Sequence, residues 1–145
     1  MKFLNSLQPL ALLLLRVALG IIFLTHGYPK LAKNSAPLQA FFVQHGLPSY
    51  FVYVSGVLET FGGALLIIGL FTRWASLLLA IEMAVAIWKV HSGGGILAVH
   101  IYEFPLSLAV ACFAVAAIGA GMVSVDHILL RESGGRPKAP RGARN

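Results

Sequence analysis

The sequence predicts an all-α integral membrane protein, a bundle of four membrane-spanning helices with a short surface helix and a basic C-terminal tail. Of its 145 residues, 58% are hydrophobic and 11% are charged, whereas a typical soluble domain has roughly 45–50% and about 25%. A soluble fold of this size would leave too much apolar surface in water. The length allows one domain, which we place at residues 1–130, followed by the tail at residues 131–145.

Four hydrophobic segments are long enough to span a membrane. A membrane helix needs about 20 mostly apolar residues to cross a hydrocarbon core of about 30 Å. Each segment is too apolar on all sides to be an amphipathic helix of a soluble protein. Arg16 interrupts the leucine run of the first segment, which favours a span over a cleaved signal peptide. The expected spans are residues 9–28, 50–71, 73–90 and 102–125.

The connections between the spans differ in length and composition. Between spans one and two, a short apolar helix ends at Gly46 and Pro48, and we expect it to lie at the membrane surface. Residues 71–73 join spans two and three almost directly, and residues 91–95 form a glycine-rich turn before span four. From Ser133 on, Gly, Pro and Arg dominate, so we expect the tail to be disordered.

Basic residues near the span ends indicate the orientation. With both termini in the cytoplasm, seven basic residues lie inside and three outside, as the positive-inside rule requires. The inner set is Lys2, Arg73, Arg131, Arg136, Lys138, Arg141 and Arg144, and the outer set is Lys30, Lys33 and Lys89. Because the tail supplies most of the net charge of +6, that charge is poor evidence for nucleic-acid binding, and we expect no nucleic-acid partner. The tail either attracts anionic lipid or only orients and solubilises the chain.

Three ionisable residues lie inside the predicted spans. A charge facing lipid at the bilayer centre costs at least about 2.5–3.5 kcal/mol, so these side chains should face the bundle interior. A rise of about 1.5 Å per residue places Arg16, Glu59 and Glu82 at depths of about 12, 18 and 14 Å. The long arginine side chain could then reach a carboxylate, and one of the two carboxyls should keep its proton. Such a layer indicates a proton carrier or a ligand contact, or else an ion pair that fixes helix register.

A second polar cluster is expected at the outer face. It comprises His26, Lys30, His91, His100 and Glu103. The spacing matches no zinc motif, and we predict no metal site. We expect these residues to bind a polar headgroup or to pass protons near neutral pH.

Small residues at helical spacing indicate close helix packing. Gly56, Thr60 and Gly63 fall on one side of span two, and Gly20 and Gly27 lie in span one. Small residues at this spacing let helix backbones approach each other in lipid.

Several stretches in a fixed order carry a resemblance to a known family. They are Leu-Arg-Val at residues 15–17, His-Gly-Tyr-Pro-Lys-Leu at residues 26–31, Gly-Leu-Pro at residues 46–48, Leu-Glu-Thr-Phe-Gly-Gly at residues 58–63, Gly-Leu-Phe-Thr-Arg at residues 69–73, and Tyr-Glu-Phe-Pro-Leu at residues 102–106 with Gly119, Gly121, Ser124 and Asp126. Over residues 10–127 the chain resembles the DoxX family of small bacterial four-helix membrane proteins. The resemblance implies a multi-pass protein of the bacterial cytoplasmic membrane. The recurrent polar positions of the family correspond to Arg16, His26, Lys30, Glu59 and Glu103.

The resemblance also implies a redox context. The family takes its name from a thiosulfate:quinone oxidoreductase subunit, and another member is linked to an oxidoreductase complex with superoxide dismutase and a sulfurtransferase. We therefore predict an accessory subunit of a quinone-linked oxidoreductase that binds a quinone or similar lipophilic molecule near Arg16, Glu59 and Glu82. The sequence has no haem signature, nucleotide-binding loop or thiol pair, so electron transfer would need a redox partner protein.

Two alternatives remain open at this stage. The protein could be a non-catalytic assembly or interaction protein in which the polar layer only fixes helix pairing. It could also be a small proton-coupled transporter, with a homo-oligomer supplying the passage. The spans lack the paired Gly/Pro breaks of such transporters, which counts against the second alternative.

Overall fold

The protein is described by a computed structural model covering residues 3, 6–32, 35–90 and 98–134, with side chains to residue 129. This part of the chain is helical and contains no strand, which confirms the predicted all-α class. In chain order the helices are α1 (Gln8–Leu31), α2 (Ala36–Gln44), α3 (Phe51–Ile68), α4 (Thr72–Val90), α5 (Val99–Ile118) and α6 (Val125–Gly134).

Helices α1 and α3 run antiparallel and touch through their backbones. A Cβ atom built at Gly20 would lie 2.6 Å from the carbonyl oxygen of Gly63, and one built at Gly63 would lie 2.7 Å from the carbonyl oxygen of Gly20. Near the other end of the contact, a Cβ atom at Gly27 would lie 2.6 Å from the amide nitrogen of Thr60. The expected packing of small residues is therefore confirmed, and these close contacts fix the register of α1 against α3.

Helices α4 and α5 complete the bundle. Leu79 of α4 packs against Gly62 of α3, where a Cβ atom would meet the leucine side chain at 3.1 Å. Cys112 of α5 is fully buried and belongs to the apolar core. The buried core cluster comprises Leu19, Phe23, Leu66, Leu79, Ala80, Met83, Leu108, Cys112 and Val115.

The predicted short helix between the first two spans is confirmed as α2. It is attached to the start of α3 by hydrogen bonds between polar side chains. The hydroxyls of Ser35 and Tyr53 lie 3.0 Å apart, and Gln39 Nε2 donates to the Tyr53 hydroxyl at 2.8 Å. Its location at a membrane surface remains a prediction.

A direct turn joins α3 to α4, as the sequence indicates. Gly69 ends α3 in the left-handed conformation, with φ 74°, and Phe71 also has a positive φ of 49°. The carboxylate of Asp126 accepts hydrogen bonds from the main-chain N–H groups of Phe71 at 2.8 Å and Thr72 at 2.9 Å. A carboxylate at a helix N-terminus satisfies free N–H groups and is attracted by the helix dipole, so Asp126 holds this turn and the start of α4.

The predicted end of the fourth span is wrong. The expected span ran over residues 102–125, but α5 covers Val99–Ile118 and a separate helix, α6, begins at Val125. Gly119 and Gly121 both adopt positive φ, at 99° and 77°, and turn the chain between the two helices. The apolar run continues through this turn, so hydropathy alone could not locate it.

Parts of the predicted connections fall outside the described residues. These are the glycine-rich turn at residues 91–95 and the tail from residue 135 onward. Residues 131–134, which were predicted to lie in the tail, belong to α6.

The outer faces of the bundle are apolar. Among the described helices, α1, α3 and α5 are long and apolar enough to cross a membrane. Large side chains on these three helices point outward, including Leu14, Phe61 and Phe113, each at least 60% exposed. Helix α4 has 19 residues and carries three charged residues, and its crossing of the membrane remains a prediction.

Candidate functional site: a buried polar network between three helices

Four polar side chains from α1, α3 and α4 form a continuous network. The Lys30 ammonium lies 2.6 Å from Glu59 Oε2 in an ion pair, and it also donates to Ser55 Oγ at 2.7 Å. Ser55 Oγ in turn donates to Glu82 Oε1 at 2.5 Å. We call Lys30, Ser55, Glu59 and Glu82 the buried polar network.

The local sequence explains how these side chains meet. Ser55 and Glu59 are four residues apart in α3, so they lie on the same face of that helix. Lys30 is in the last turn of α1, and its stem lies over Gly56, where a Cβ atom would come within 2.9 Å of the lysine Cβ. A larger residue at position 56 would displace the lysine side chain, so this glycine helps to place the cation beside Glu59.

The network combines one ammonium group with two carboxyl groups. The Glu59 side chain is 4% exposed and the Lys30 side chain 17% exposed, so the ion pair is largely removed from water. The stability of each charged group depends on its partner, because removing Lys30 or Glu59 would leave the other as an uncompensated buried charge. Glu82 Oε2 is buried and has no hydrogen-bond partner among the described residues. The network can therefore hold a further proton or accept a hydrogen bond from a ligand at Glu82.

The predicted contact of Arg16 with Glu59 or Glu82 is wrong. Arg16 is 1% exposed and donates to main-chain carbonyls: Nε to Leu66 at 2.7 Å, Nη2 to Val123 at 2.9 Å, and Nη1 to Ala120. Fourteen residues separate Arg16 from Lys30 in α1, which corresponds to about 21 Å along the helix.

The register between α1 and α3 explains this separation. The depths of Arg16, Glu59 and Glu82, counted from the ends of their spans, were not accurate enough to show which of these side chains meet. The glycine contacts between α1 and α3 show directly which residues face each other. Gly20 faces Gly63, so the antiparallel arrangement brings Arg16 to the end of α3 and Lys30 to its beginning. Glu59 consequently pairs with Lys30, and Glu82 is linked to Lys30 through Ser55, although Lys30 was predicted to belong to the outer cluster.

Arg16 organises the opposite end of the bundle. Its guanidinium binds carbonyls of α3 and of the segment between α5 and α6, which are far apart in sequence. Asp126 reinforces the same junction, because its main-chain N–H donates to the carbonyl of Gly69 at 2.9 Å. The geometry assigns Arg16 to holding the start of α6 against the α3–α4 turn.

The predicted outer cluster is only partly assembled in the described residues. His26 is exposed, its Nδ1 lies 2.8 Å from the carbonyl oxygen of Ile22, and its ring lies 6.0 Å from that of Phe104. His100 and Glu103 are exposed on α5, and His91 lies outside the described residues. No group of three or more potential metal ligands occurs among the residues that the structure describes.

Ser55 and Asp126 are functional or structural residues for which the sequence predicted no role. Ser55 links the lysine to Glu82, and its position one helical turn before Glu59 was the signal that could have identified it. Asp126 is part of the pattern that resembles the DoxX family, but local spacing could not show its role, because its partners are main-chain N–H groups more than fifty residues earlier in the chain.

The apolar outer faces and the charged network enclosed between helices define a polytopic α-helical membrane protein. Comparison with known families agrees with this class. The sequence pattern of the DoxX family matches residues 11–92, which is more than half of the chain. The protein belongs to the DoxX family.

Two relatives show how much of the chain is shared. A Bacillus subtilis protein named "Putative oxidoreductase CatD" is 41% identical over 83 residues, which cover 57% of this chain and 61% of the relative. An uncharacterized protein of Haemophilus influenzae is 35% identical over 94 residues, 65% of this chain and 69% of the relative. The chain thus spans less than two thirds of the length of the Bacillus protein. No solved structure matches the chain.

Proposed function

We propose that the protein is an accessory subunit of a membrane redox system and binds a quinone, or a similar lipophilic molecule, at the buried polar network. The observation that carries the proposal is Glu82 Oε2, a buried acceptor without a hydrogen-bond partner among the described residues, next to a carboxylate–lysine pair. Buried ionisable groups within membrane helices are rare and typically functional. The name of the Bacillus relative gives independent support for a redox role.

The network suits the proton chemistry of a quinone headgroup. One hydroxyl of a hydroquinone would donate to Glu82 when that carboxyl is ionised and would transfer its proton there when the ring is oxidised. The second hydroxyl would release its proton to solvent. Lys30, linked to Glu82 through Ser55, would stabilise the carboxylate before it takes the proton. The electrons of the hydroquinone would pass to a redox cofactor of a partner protein, because the sequence has no motif for a cofactor of its own.

The charge distribution supports a location and an orientation. We assign the protein to the bacterial cytoplasmic membrane with four spans and both termini inside, since basic residues near the span ends favour that side by seven to three. Lys30 then lies near the outer end of α1, and the buried polar network occupies the outer half of the bundle.

Quinone binding by purified protein tests the proposal. The probe is decylubiquinol, the reduced form whose hydroxyls can donate to Glu82, and the protein is compared with Glu82→Gln and with the control Glu103→Gln, which changes an exposed carboxyl on α5. Loss of a charge-assisted hydrogen bond, worth about 1.5–3 kcal/mol, should raise the dissociation constant roughly tenfold or more in Glu82→Gln. Glu103→Gln should bind as the parent does. No binding by the parent, or equal binding by folded Glu82→Gln, contradicts the proposal.

A purely structural role is the second candidate. The network ties α1 to α3 through Lys30 and Glu59, and α3 to α4 through Ser55 and Glu82, which is what an assembly protein with a fixed helix register would need. Buried ion pairs can often be replaced by apolar residues without loss of stability. A folded Lys30→Met/Glu59→Met double variant that still supports the cellular role would favour this candidate, whereas loss of that role with the fold intact would exclude it.

A further inference from the structure

A cleft with a few polar side chains and an apolar groove meet at the end of the bundle opposite the buried polar network. The cleft, of about 620 Å³, lies where the α3–α4 turn meets the α5–α6 segment, and its polar lining includes Asp126 and His127. The groove, of about 440 Å³, runs between α4 and α5 along Leu77 and Phe113. Arg73 and Trp74 line both.

The Arg73 side chain lies across the end of α5. Its Nη2 donates to the carbonyl of Ile118 at 3.2 Å, and its Nε would lie 3.1 Å from a Cβ atom at Gly119. The guanidinium thereby turns its Nε–Nη2 edge towards a residue that has no side chain. Arginine has five N–H donors in a planar fork that suits phosphate oxygens, and this contact engages only one end of the fork.

In the described part of the chain, the cleft is lined by one exposed cation and by one carboxylate whose oxygens are already hydrogen-bonded. Both carboxylate oxygens of Asp126 are bound by main-chain N–H groups. Arg16, behind the cleft, is buried and directs its donors to carbonyls. Among the described side chains that line the cleft, Arg73 is the exposed cation, and His127 lies on the same lining.

The apolar groove continues from this cation along the outer face of the helices. Leu77 lies one helical turn beyond Arg73, and the small side chains of Ala116 and Ala117 leave room on the α5 side. Trp74 is 68% exposed at the junction, and exposed tryptophans are enriched at the headgroup level of membranes. From the cleft outward, the protein presents a cation, then an aromatic side chain, then an apolar groove. A phospholipid has its phosphate, its interfacial region and its acyl chains in the same order.

We infer that this junction is a binding site for an anionic phospholipid. The phosphate lies against the Arg73 guanidinium, the polar headgroup enters the cleft, and the upper part of one acyl chain lies in the groove between α4 and α5. Basic pockets between membrane helices recognise anionic headgroups in this way. The site is independent of the buried polar network, since Arg73 and Glu82 lie about 14 Å apart along α4.

Lipid retention measured by native mass spectrometry tests the inference. The full chain is released from detergent containing equal amounts of dioleoylphosphatidylglycerol and dioleoylphosphatidylcholine. One basic residue at an anionic surface corresponds to about a fivefold preference for the anionic lipid. The parent protein and Arg73→Lys, which keeps the charge, should show this preference, and Arg73→Gln should lose it. Equal retention of both lipids by the parent, or an unchanged preference in Arg73→Gln, overturns the inference.

Two controls separate this site from general effects. Lys89→Gln changes a matched cation at the other end of α4, where Lys89 Nζ lies 4.6 Å from the centre of the Trp88 ring. This variant should keep the preference, and its loss would contradict a site at Arg73.

Ala116→Phe fills the groove without changing charge and should lower retention of phosphatidylglycerol. Unchanged retention in this variant would contradict the acyl-chain position. Inorganic phosphate should not displace the lipid, and displacement by phosphate would identify a site for free anions instead. Thermal unfolding of each variant establishes that it is folded.

Discussion

Buried charged residues of this protein are stabilised in two different ways. Glu59 is paired with Lys30, whereas Arg16 is surrounded by main-chain carbonyls of α3 and the α5–α6 segment. The first solution joins two ionised side chains and is sensitive to the loss of either. The second uses carbonyls whose positions are set by helix ends, so it depends on the shape of the cation.

This difference predicts the effect of Arg16→Lys. A lysine ammonium is a compact charge and cannot reach three carbonyls that match a planar guanidinium. Because hydrogen bonds to charged groups contribute about 1.5–3 kcal/mol each, we expect the free energy of unfolding to fall by roughly 3 kcal/mol or more. Thermal unfolding in detergent, monitored by size-exclusion chromatography of heated samples, measures the change.

Arg73→Lys serves as the control, because Arg73 is exposed and makes one hydrogen bond to a main-chain carbonyl, that of Ile118, whereas Arg16 makes three. A stability of Arg16→Lys equal to that of the control would show that the carbonyl contacts of Arg16 do not hold the bundle together.

At the level of helices, contacts between backbones determine which side chains meet. The pairing of Gly20 with Gly63 fixes the register of α1 and α3, and that register brings Lys30 to Glu59. The turn between α3 and α4 is fixed from elsewhere in the chain, by the carboxylate of Asp126. Neither contact involves a large apolar side chain. The first is made by two glycines, and the second by a carboxylate that caps the start of α4.

Two neighbouring glycines of α3 provide a test at this level. A Cβ atom at Gly63 would meet main-chain atoms of α1 at 2.7 and 2.9 Å, whereas one at Gly62 would meet the flexible side chain of Leu79 at 3.1 Å. Gly63→Ala should therefore lower the free energy of unfolding by about 2 kcal/mol, the cost of overpacking.

The free energy of unfolding of Gly62→Ala should stay within about 1 kcal/mol of that of the parent protein. Alanine is favoured over glycine in a helix by about that amount, and this gain offsets the smaller clash with Leu79. Thermal unfolding of both variants in the same detergent measures the difference. Equal stabilities would contradict the close contact of α1 with α3.

For the whole molecule, the number of helices that cross the membrane determines on which side each connection lies. Ser49 lies between α2 and α3, and Met122 lies between α5 and α6. If α1, α3, α4 and α5 all cross the membrane, these two positions lie on opposite sides. If α4 does not cross, they lie on the same side.

Cysteine labelling distinguishes the two arrangements. In intact cells, a membrane-impermeant maleimide should label Ser49→Cys but label Met122→Cys only after permeabilisation. Both positions are exposed, and the natural Cys112 is 0% exposed, so the parent protein supplies a low background. Labelling of both positions from outside would indicate three crossings, and the reverse pattern would place the termini outside.

The sequence by itself determined the helical membrane class, the glycine packing, the short helix α2 and the presence of buried ionisable residues. These properties depend on composition and on local spacing along one chain segment. Only the tertiary structure decided that Lys30, and not Arg16, meets Glu59, and that Gly119 and Gly121 end α5 before the apolar run ends. Pairing of charges across helices depends on their rotation and register, and these are set by backbone contacts between distant segments rather than by depth along any one helix.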